Sequence, residues 1–379
     1  MPKLIDTPDA LDAAIATLQG SPWWGIDTEF LRERTYYPKL CLVQIATGNA
    51  DFVIDAIALP DLSRLGEMLE RDRKVKIVHA ARQDLEALQR AGVTTLTDLF
   101  DTQTAASLLG HPDQVSYAWL VEHYFGLTLD KSQTRTDWTQ RPLSAAQLSY
   151  ALDDVRYLGT LYENLREALD ASNKLAWLWE EAASLSEAMV NMEKPEEAWR
   201  RLRGLNSLEP ESWSRGCELA IWRERVAQKL DIPRGWLLKD EHLFAIAGLD
   251  ALSLSALNGV TGLSPSTIRR YGEEIIHLME TPSVERRTGC SPLNWRLSPE
   301  GTRLLGEFQD KVKQAAAAAQ VAPGILASRK DLEGLLLGEP PGRLRCGWRA
   351  ALIGDQLASQ ADALPLEDRR QLSRGTGRR

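Results

Sequence analysis

In "WWGIDTEF", Ile26, Thr28 and Phe30 alternate with Gly25, Asp27 and Glu29. That period of two belongs to a strand, and residues two apart on a strand share a face. Asp27 and Glu29 therefore stand side by side as like charges. Asp84 follows the apolar run "VKIVHA" and falls in the first turn of a helix, near its positive end. Tyr150 and Asp154 lie four apart in a helical stretch and share its face. Each feature alone has an ordinary explanation: a solvated strand face, a helix cap, a chance spacing. Brought together, the acids would repel one another unless cations joined them. With divalent cations, such a set becomes a site for phosphoryl chemistry.

The elements that must position these residues are legible in outline. "PDALDAAIATLQG" reads as an amphipathic helix before the "WWGIDTEF" strand. "LCLVQIAT" and "DFVIDA" read as strands joined through Gly48-Asn49, a hairpin signal. "LSRLGEMLERD" is helical, "VKIVHA" is a buried strand, and "RQDLEALQRAG" is a helix closed by Gly92. "LTDLFDT" is a short strand running into "QTAASLLG". Alternating strands and helices predict a layered α/β domain with a mixed sheet. From about residue 142 the pattern is helical throughout. One helix is predicted over "LSAAQLSYALDDVRYLGTLYENLREAL", opened by a Ser144/Gln147 capping box, and another over "KLAWLWEEAASLSEAMVNM". "EKPEEAW" then marks a domain boundary. Beyond it, "IPRGWLLKDEHL" (232–243) aligns with "VAPGILASRKDL" (321–332), 89 residues apart, each after a long helical segment. Two related helical modules account for this economically. The tail "EDRRQLSRGTGRR" is polar, basic and predicted to be disordered.

Composition narrows the class. The 379 residues are 44% hydrophobic, enough for two or three domains, and no apolar run approaches the roughly 20 residues that span a bilayer. The N-terminus lacks a secretory pattern, so a cytoplasmic location and no membrane partner are expected. Cys41, Cys217, Cys290 and Cys346 form no CxxC pair, and the five histidines show no metal-ligand spacing. Residues 1–192 carry 17 Lys+Arg against 28 Asp+Glu, a net of −11, and residues 193–379 carry 28 against 25, a net of +3. The acidic half would repel nucleic acid unless metals or local basic patches intervene.

Taken in order, "IDTEF", "VHAARQD" and "YALDD" resemble the three motifs of DEDD-type 3′–5′ exonucleases, in the subgroup with tyrosine in the third motif. "RTYYPKLCLVQIA", "LFDTQTAA" and above all "LTLDKSQTRTDWTQRPLS" are similar to the bacterial ribonuclease D family, and the second half resembles that family's tandem HRDC domains. The resemblance implies an α/β ribonuclease H-like exonuclease domain, a mixed sheet flanked by helices, over 1–192. Two small all-α HRDC-like domains would follow over 193–282 and 283–366, with a basic tail over 367–379. It implies a 3′–5′ exoribonuclease that trims structured RNA precursors such as tRNA and releases nucleoside 5′-monophosphates. Two divalent ions, Mg²⁺ or Mn²⁺, about 3.5–4 Å apart would generate the nucleophile and stabilise the leaving oxygen. Carried over by motif, Asp27, Glu29 and Asp154 would hold the first ion. Asp27 would bridge to a second, supported by Asp84, and Tyr150 would orient the attacking water.

Other positions keep two readings. Asp153 rivals Asp154. Asp101 either assists the site or caps a helix. His79 is a buried, hydrogen-bonded histidine or a catalytic one, and Trp138 packs or stacks. Lys131 and Arg135 would contact backbone phosphates or serve solubility. Phe30 would stack a terminal base or belong to the core. Arg200, Arg201 and Arg203, Arg269 and Arg270, and Arg286 and Arg287 form basic clusters that bind nucleic acid or face solvent. A DNA exonuclease and a non-catalytic nucleic-acid-binding adaptor remain as rival functions. No P-loop accompanies the helical half, which argues against a helicase. A monomer is favoured. The boundary near 192 also predicts an exonuclease half that folds alone.

Overall fold

The computed structural model describes residues 3–59, 61–134, 136–190, 194–202, 204–205, 208–280, 295–339 and 342–372. A six-stranded sheet organises the first half. Its strands are β1 (Lys3–Ile5), β2 (Trp23–Leu31), β3 (Lys39–Ala46), β4 (Asp51–Asp55), β5 (Val75–Val78) and β6 (Leu99–Asp101), in the spatial order β1-β4-β3-β2-β5-β6. The β2–β3–β4 meander is antiparallel, while β1 on β4, β5 on β2 and β6 on β5 are parallel, so the sheet is mixed as expected. The β2–β3 register shifts between Glu29 and Phe30. Such irregularities re-aim side chains.

Helices α1 (Pro8–Gln19), α2 (Ser63–Arg71) and α3 (Arg82–Leu88) cover one face of the sheet. The other face takes α4 (Thr102–Leu108), α5 (Tyr117–Phe125), α6 (Ala145–Arg156) and α7 (Leu158–Ala171), while α8 (Leu175–Val190) gives Leu178 to this core and Met189 to the first. Gly92 closes the α3 segment at φ +83, and the Ser144/Gln147 capping box is present. The single helix expected from 143 to 169 is instead two, broken at Tyr157. The Tyr117 hydroxyl donates to the Asp153 carbonyl (3.2 Å) and accepts from the Tyr157 amide (3.1 Å). It thus occupies both ends of what would be the helical 153–157 bond, a recognised cause of helix breaks.

The second half holds two helical modules. The first comprises α9 (Pro210–Leu230), α10 (Arg234–Leu237), α11 (Asp240–Ala247), α12 (Leu254–Asn258) and α13 (Pro265–Glu280), around its own core of Trp213, Cys217, Leu243 and Ile275. The second has α14 (Pro299–Ala319), α15 (Pro323–Leu326), α16 (Arg329–Leu337), α17 (Gly347–Arg349), a π-helical turn at Ala350–Gly354, α18 (Asp355–Asp362) and α19 (Leu366–Arg369). The repeat is visible in the backbone. Long helices α9 and α14 each end on a left-handed residue, Asp231 (φ +48) and Gln320 (φ +53), 89 positions apart. A four-residue helix and then a longer one follow in both copies.

Two expectations for this half are corrected. It is not all-α: β7 (Trp295–Leu297) pairs antiparallel with β8 (Arg370–Leu372). Residues 367–372 are consequently not part of a disordered tail, because Ser298 N–H donates to the Arg369 carbonyl (3.0 Å) and the strand pair follows. The remainder of that predicted tail, 373–379, lies outside the described residues, as do the proposed 282/283 boundary and Arg286–Arg287. The exonuclease half is also not packed independently of the last module. One continuous core joins Phe100, Leu161 and Leu178 with Phe308, Leu326 and Trp348. Trp177 stacks on Trp348 at 4.8 Å between ring centroids, and Arg349 pairs with Glu181 (2.7 Å). Among the described residues no helix is long and apolar enough to cross a membrane.

Candidate metal centre

Asp27 and Glu29 project from β2 toward α6, which carries Asp154. One carboxylate oxygen from each of the three lies within 4.8 Å of the others. Gly25 lets β2 lie close under the α6–α7 junction, where a Cβ would sit 3.1 Å from the Leu158 side chain of α7 and 3.5 Å from the Val155 carbonyl of α6. Burial and the neighbouring acids push the carboxyls up: Glu29 to about 8, Asp154 to about 7, and Asp27 well above its ordinary range. Three converging carboxylates so perturbed are an electrostatic problem without a cation. Their hard oxygen donors suit a divalent ion of the Mg²⁺ type.

Asp84 approaches from the first turn of α3. Its Oδ1 accepts from the Thr28 hydroxyl (2.6 Å), and burial pushes it up to about 6. It is outside the group of three, yet near enough for its charge to raise both Asp27 and Glu29. Tyr150 lies beside Asp154, and its phenol is pushed up to about 12, first by burial and then by the Asp154 charge. It is therefore a proton donor at neutral pH. Asp153 turns away to pair with Arg156, so Asp154 is the acid of this helix in the cluster.

The Asp101 side chain caps α4 by accepting from Gln103 N–H (2.9 Å) and Thr104 N–H (3.2 Å). It also accepts from Ala80 and Ala81 N–H, both at 3.2 Å. Ala80 has φ +55, a strained value for a residue with a Cβ. Asp101 thus clamps the turn that aims Asp84. His79 is structural: Nε2 donates to the Val115 carbonyl (3.1 Å), Nδ1 meets the Thr102 hydroxyl (2.9 Å), and burial lowers its pKa. Trp138 is buried in packing beside Tyr150. Phe30 packs half-buried against the core beneath the sheet. Lys131 is exposed in a turn where its carbonyl accepts from the Thr134 hydroxyl (2.9 Å), whereas Arg135 lies outside the described residues. Arg200 and Arg201 are engaged by Glu197 and Glu224, Arg269 and Arg270 are exposed, and Arg203 is outside the described residues.

Sequence reasoning missed Tyr117. Its hydroxyl breaks the helix directly after Asp154 and fixes where that carboxylate points. Ser116 as N-cap and Gly126 as a left-handed C-cap bracket its helix and were available as signals.

The raised carboxyls have a thermodynamic consequence. An acid with a higher pKa folded than unfolded makes the folded state retain protons, so stability is lost as pH rises through the folded value. Metal-free protein is expected to lose stability from the ordinary carboxylate range near 4 up to about 8, through Asp84, Asp154 and Glu29 in turn. Melting curves in EDTA should fall from pH 5 to pH 8, and saturating Mg²⁺ should flatten the difference. Equal melting temperatures in EDTA would contradict this.

Residues 2–170 match the 3′–5′ exonuclease family, and residues 217–279 match the HRDC domain family. Fold, acidic cluster and these matches define the class: a 3′–5′ exonuclease domain coupled to a helical HRDC domain. Ribonuclease D of Gluconacetobacter diazotrophicus is 38% identical over 98% of this chain and 94% of the relative. Ribonuclease D of Acidiphilium cryptum is 36% identical over 100% and 96%. The structure of Escherichia coli RNase D, described as an exoribonuclease involved in structured RNA processing, superposes with a TM-score of 0.86 at 30% identity, over 96% of this chain and 100% of that one. The chain belongs to the ribonuclease D family.

Proposed function

We propose that this protein is a metal-dependent 3′–5′ exoribonuclease that trims the 3′ ends of structured RNA precursors such as tRNA, releasing nucleoside 5′-monophosphates. The observation that carries the reading is the convergence of Asp27, Glu29 and Asp154 on an exonuclease sheet. These three would hold one divalent ion, Mg²⁺ or Mn²⁺, with Asp27 and Asp84 serving a second. When bound, such ions supply Lewis-acid stabilisation of the phosphoryl oxygens and a nucleophile at neutral pH. The chain's own groups do the rest. The Tyr150 hydroxyl, beside Asp154 on the same helix face, orients the attacking water by hydrogen bonding rather than by taking its proton. Thr28 and Asp101 keep Asp84 aimed at the cluster. Lys131, exposed in the turn before α6, and Arg135 contact the substrate backbone, while Phe30 supports the site from the core side.

The matching backbones of the two helical modules support the reading of residues 295–366 as a second, divergent HRDC-like domain. The proposed division remains 1–192, 193–282 and 283–366, with the first and third domains sharing a core. The enzyme acts as a single chain in the cytoplasm. Matched 3′-tailed RNA and DNA, incubated with Mg²⁺ or with EDTA, test the proposal. RNA shortening from the 3′ end that stops in EDTA is expected. Preference for DNA would overturn the substrate, and binding without shortening would overturn the activity.

A further inference from the structure

The second helical module contains a half-enclosed cavity of about 410 Å³, remote in sequence from the acidic cluster. Arg369 forms part of its wall. The Arg369 side chain is only 5% exposed, and its Nε and Nη1 have no hydrogen-bond partner. Its nearest carboxylate, Asp362, is 3.9 Å from Nη2, beyond hydrogen-bonding range. Asp362 is itself 61% exposed and already accepts from Arg345 (2.8 Å). Two guanidiniums therefore share one largely solvated acid. Of the other acids on the wall, Asp331 is taken by Arg343 and Ser328, and Glu339 sits at the lip beside Gly334. Lys330 adds an exposed ammonium at the rim.

A guanidinium stays protonated when buried and is costly to leave unpaired. Arg369 cannot relieve that cost by swinging its backbone outward. Its carbonyl accepts from Ser298 N–H (3.0 Å), and it abuts the first turn of α14, where a Cβ on Gly301 would clash with it. A buried guanidinium with donors to spare, facing a half-enclosed cavity, suits an anionic ligand.

We propose that this cavity binds a phosphate monoester, with Arg369 as its principal ligand and Arg345 and Lys330 assisting. A monoester fits better than an internal diester because the cavity is half-enclosed, so a chain end enters more readily than a continuous backbone, and because a dianion can engage the unpartnered Arg369 donors and Arg345 together. Leu335, Leu344 and Leu366 offer an apolar wall for the attached group. Two sources share this chemistry: a free nucleoside 5′-monophosphate and the 5′-phosphorylated end of an RNA. Only the choice between these sources rests on the exoribonuclease reading; the site does not.

Calorimetric titration and thermal melting of the full chain test the site, with inorganic phosphate and with AMP, in phosphate-free buffer containing EDTA. Under these conditions no catalysis occurs, so failure here is separable from failure of the exoribonuclease reading. Both ligands should bind and raise the melting temperature of the wild type. Arg369→Met should weaken AMP binding by at least about 30-fold and, with no ligand present, melt higher than the wild type. Lys330→Glu, at the exposed rim, should weaken binding without threatening the fold and serves if Arg369→Met does not fold. A 5′-phosphorylated RNA binding tighter than its 5′-hydroxyl counterpart, with the preference lost in the variants, assigns the RNA end. AMP binding without that preference assigns the free nucleotide. No binding of either small ligand to the wild type, or binding unchanged by the substitutions, would overturn the site.

Discussion

Asp27→Asn is expected to slow RNA shortening by about 10³-fold or more, while the metal-free variant melts at a higher temperature than the metal-free wild type. The two effects have opposite sign and one cause. Asp27 lies among Glu29, Asp84 and Asp154, all of which raise its pKa once burial has done so. Neutralising it removes like-charge repulsion that the folded chain alone must bear. The same substitution takes away a carboxylate shared by both proposed ion sites. Lewis-acid stabilisation of this kind is worth several kcal/mol, and each 1.36 kcal/mol is tenfold in rate. Single-turnover RNA shortening, with melting curves in EDTA and in Mg²⁺, reads both quantities. In Mg²⁺ the order of melting temperatures should reverse. A variant that is inactive and also less stable in EDTA would point to simple misfolding and contradict the electrostatic account.

Ending the chain after residue 192 is expected to lower the melting temperature of the exonuclease half by roughly 10–20 °C and to expose apolar surface. A sequence boundary there suggests a self-sufficient domain, but the structure places Trp348 against Trp177 in the same core as Leu161 and Leu165. A buried tryptophan covers about 200 Å², worth about 5 kcal/mol at 25 cal/mol per Å², and 1 kcal/mol moves melting by about 2–4 °C at this size. Lys174 would also lose its bond to the Gln320 carbonyl (2.8 Å), and the Ser107 carbonyl would lose Ala322 N–H (2.8 Å). Comparing residues 1–192 with the full chain by thermal melting and dye binding checks this. An unchanged melting temperature would show that the shared core contributes little.

What could be read from the sequence was what neighbouring residues decide. The alternation through Asp27 and Glu29, the Ser144 capping box and the Gly92 helix stop are all set within a few positions, and the structure has them. Asp101 could be read as a cap because its partners Gln103 and Thr104 are adjacent. Its grip on Ala80 and Ala81 could not, since that contact spans 20 residues and depends on β5 and β6 lying side by side. Tyr117 was missed for the same reason: its hydroxyl acts on a helix 36 residues away, and nothing local announces that a tyrosine will enter another helix's hydrogen-bond ladder. The break at Tyr157 is the visible result. The 370–372 strand was hidden because its partner, not its polar composition, determines its conformation.

The core shared by α8 and the last module also bears on synthesis. Trp177 leaves the ribosome about 170 residues before Trp348. At 5–20 residues per second, roughly 10–30 s pass before the apolar face of α8 can be covered. The middle module, with a core drawn from residues 202–279 alone, can complete itself during that interval. The nascent exonuclease domain is therefore the part of this chain that waits, and its exposed tryptophan face is where a chaperone would find it.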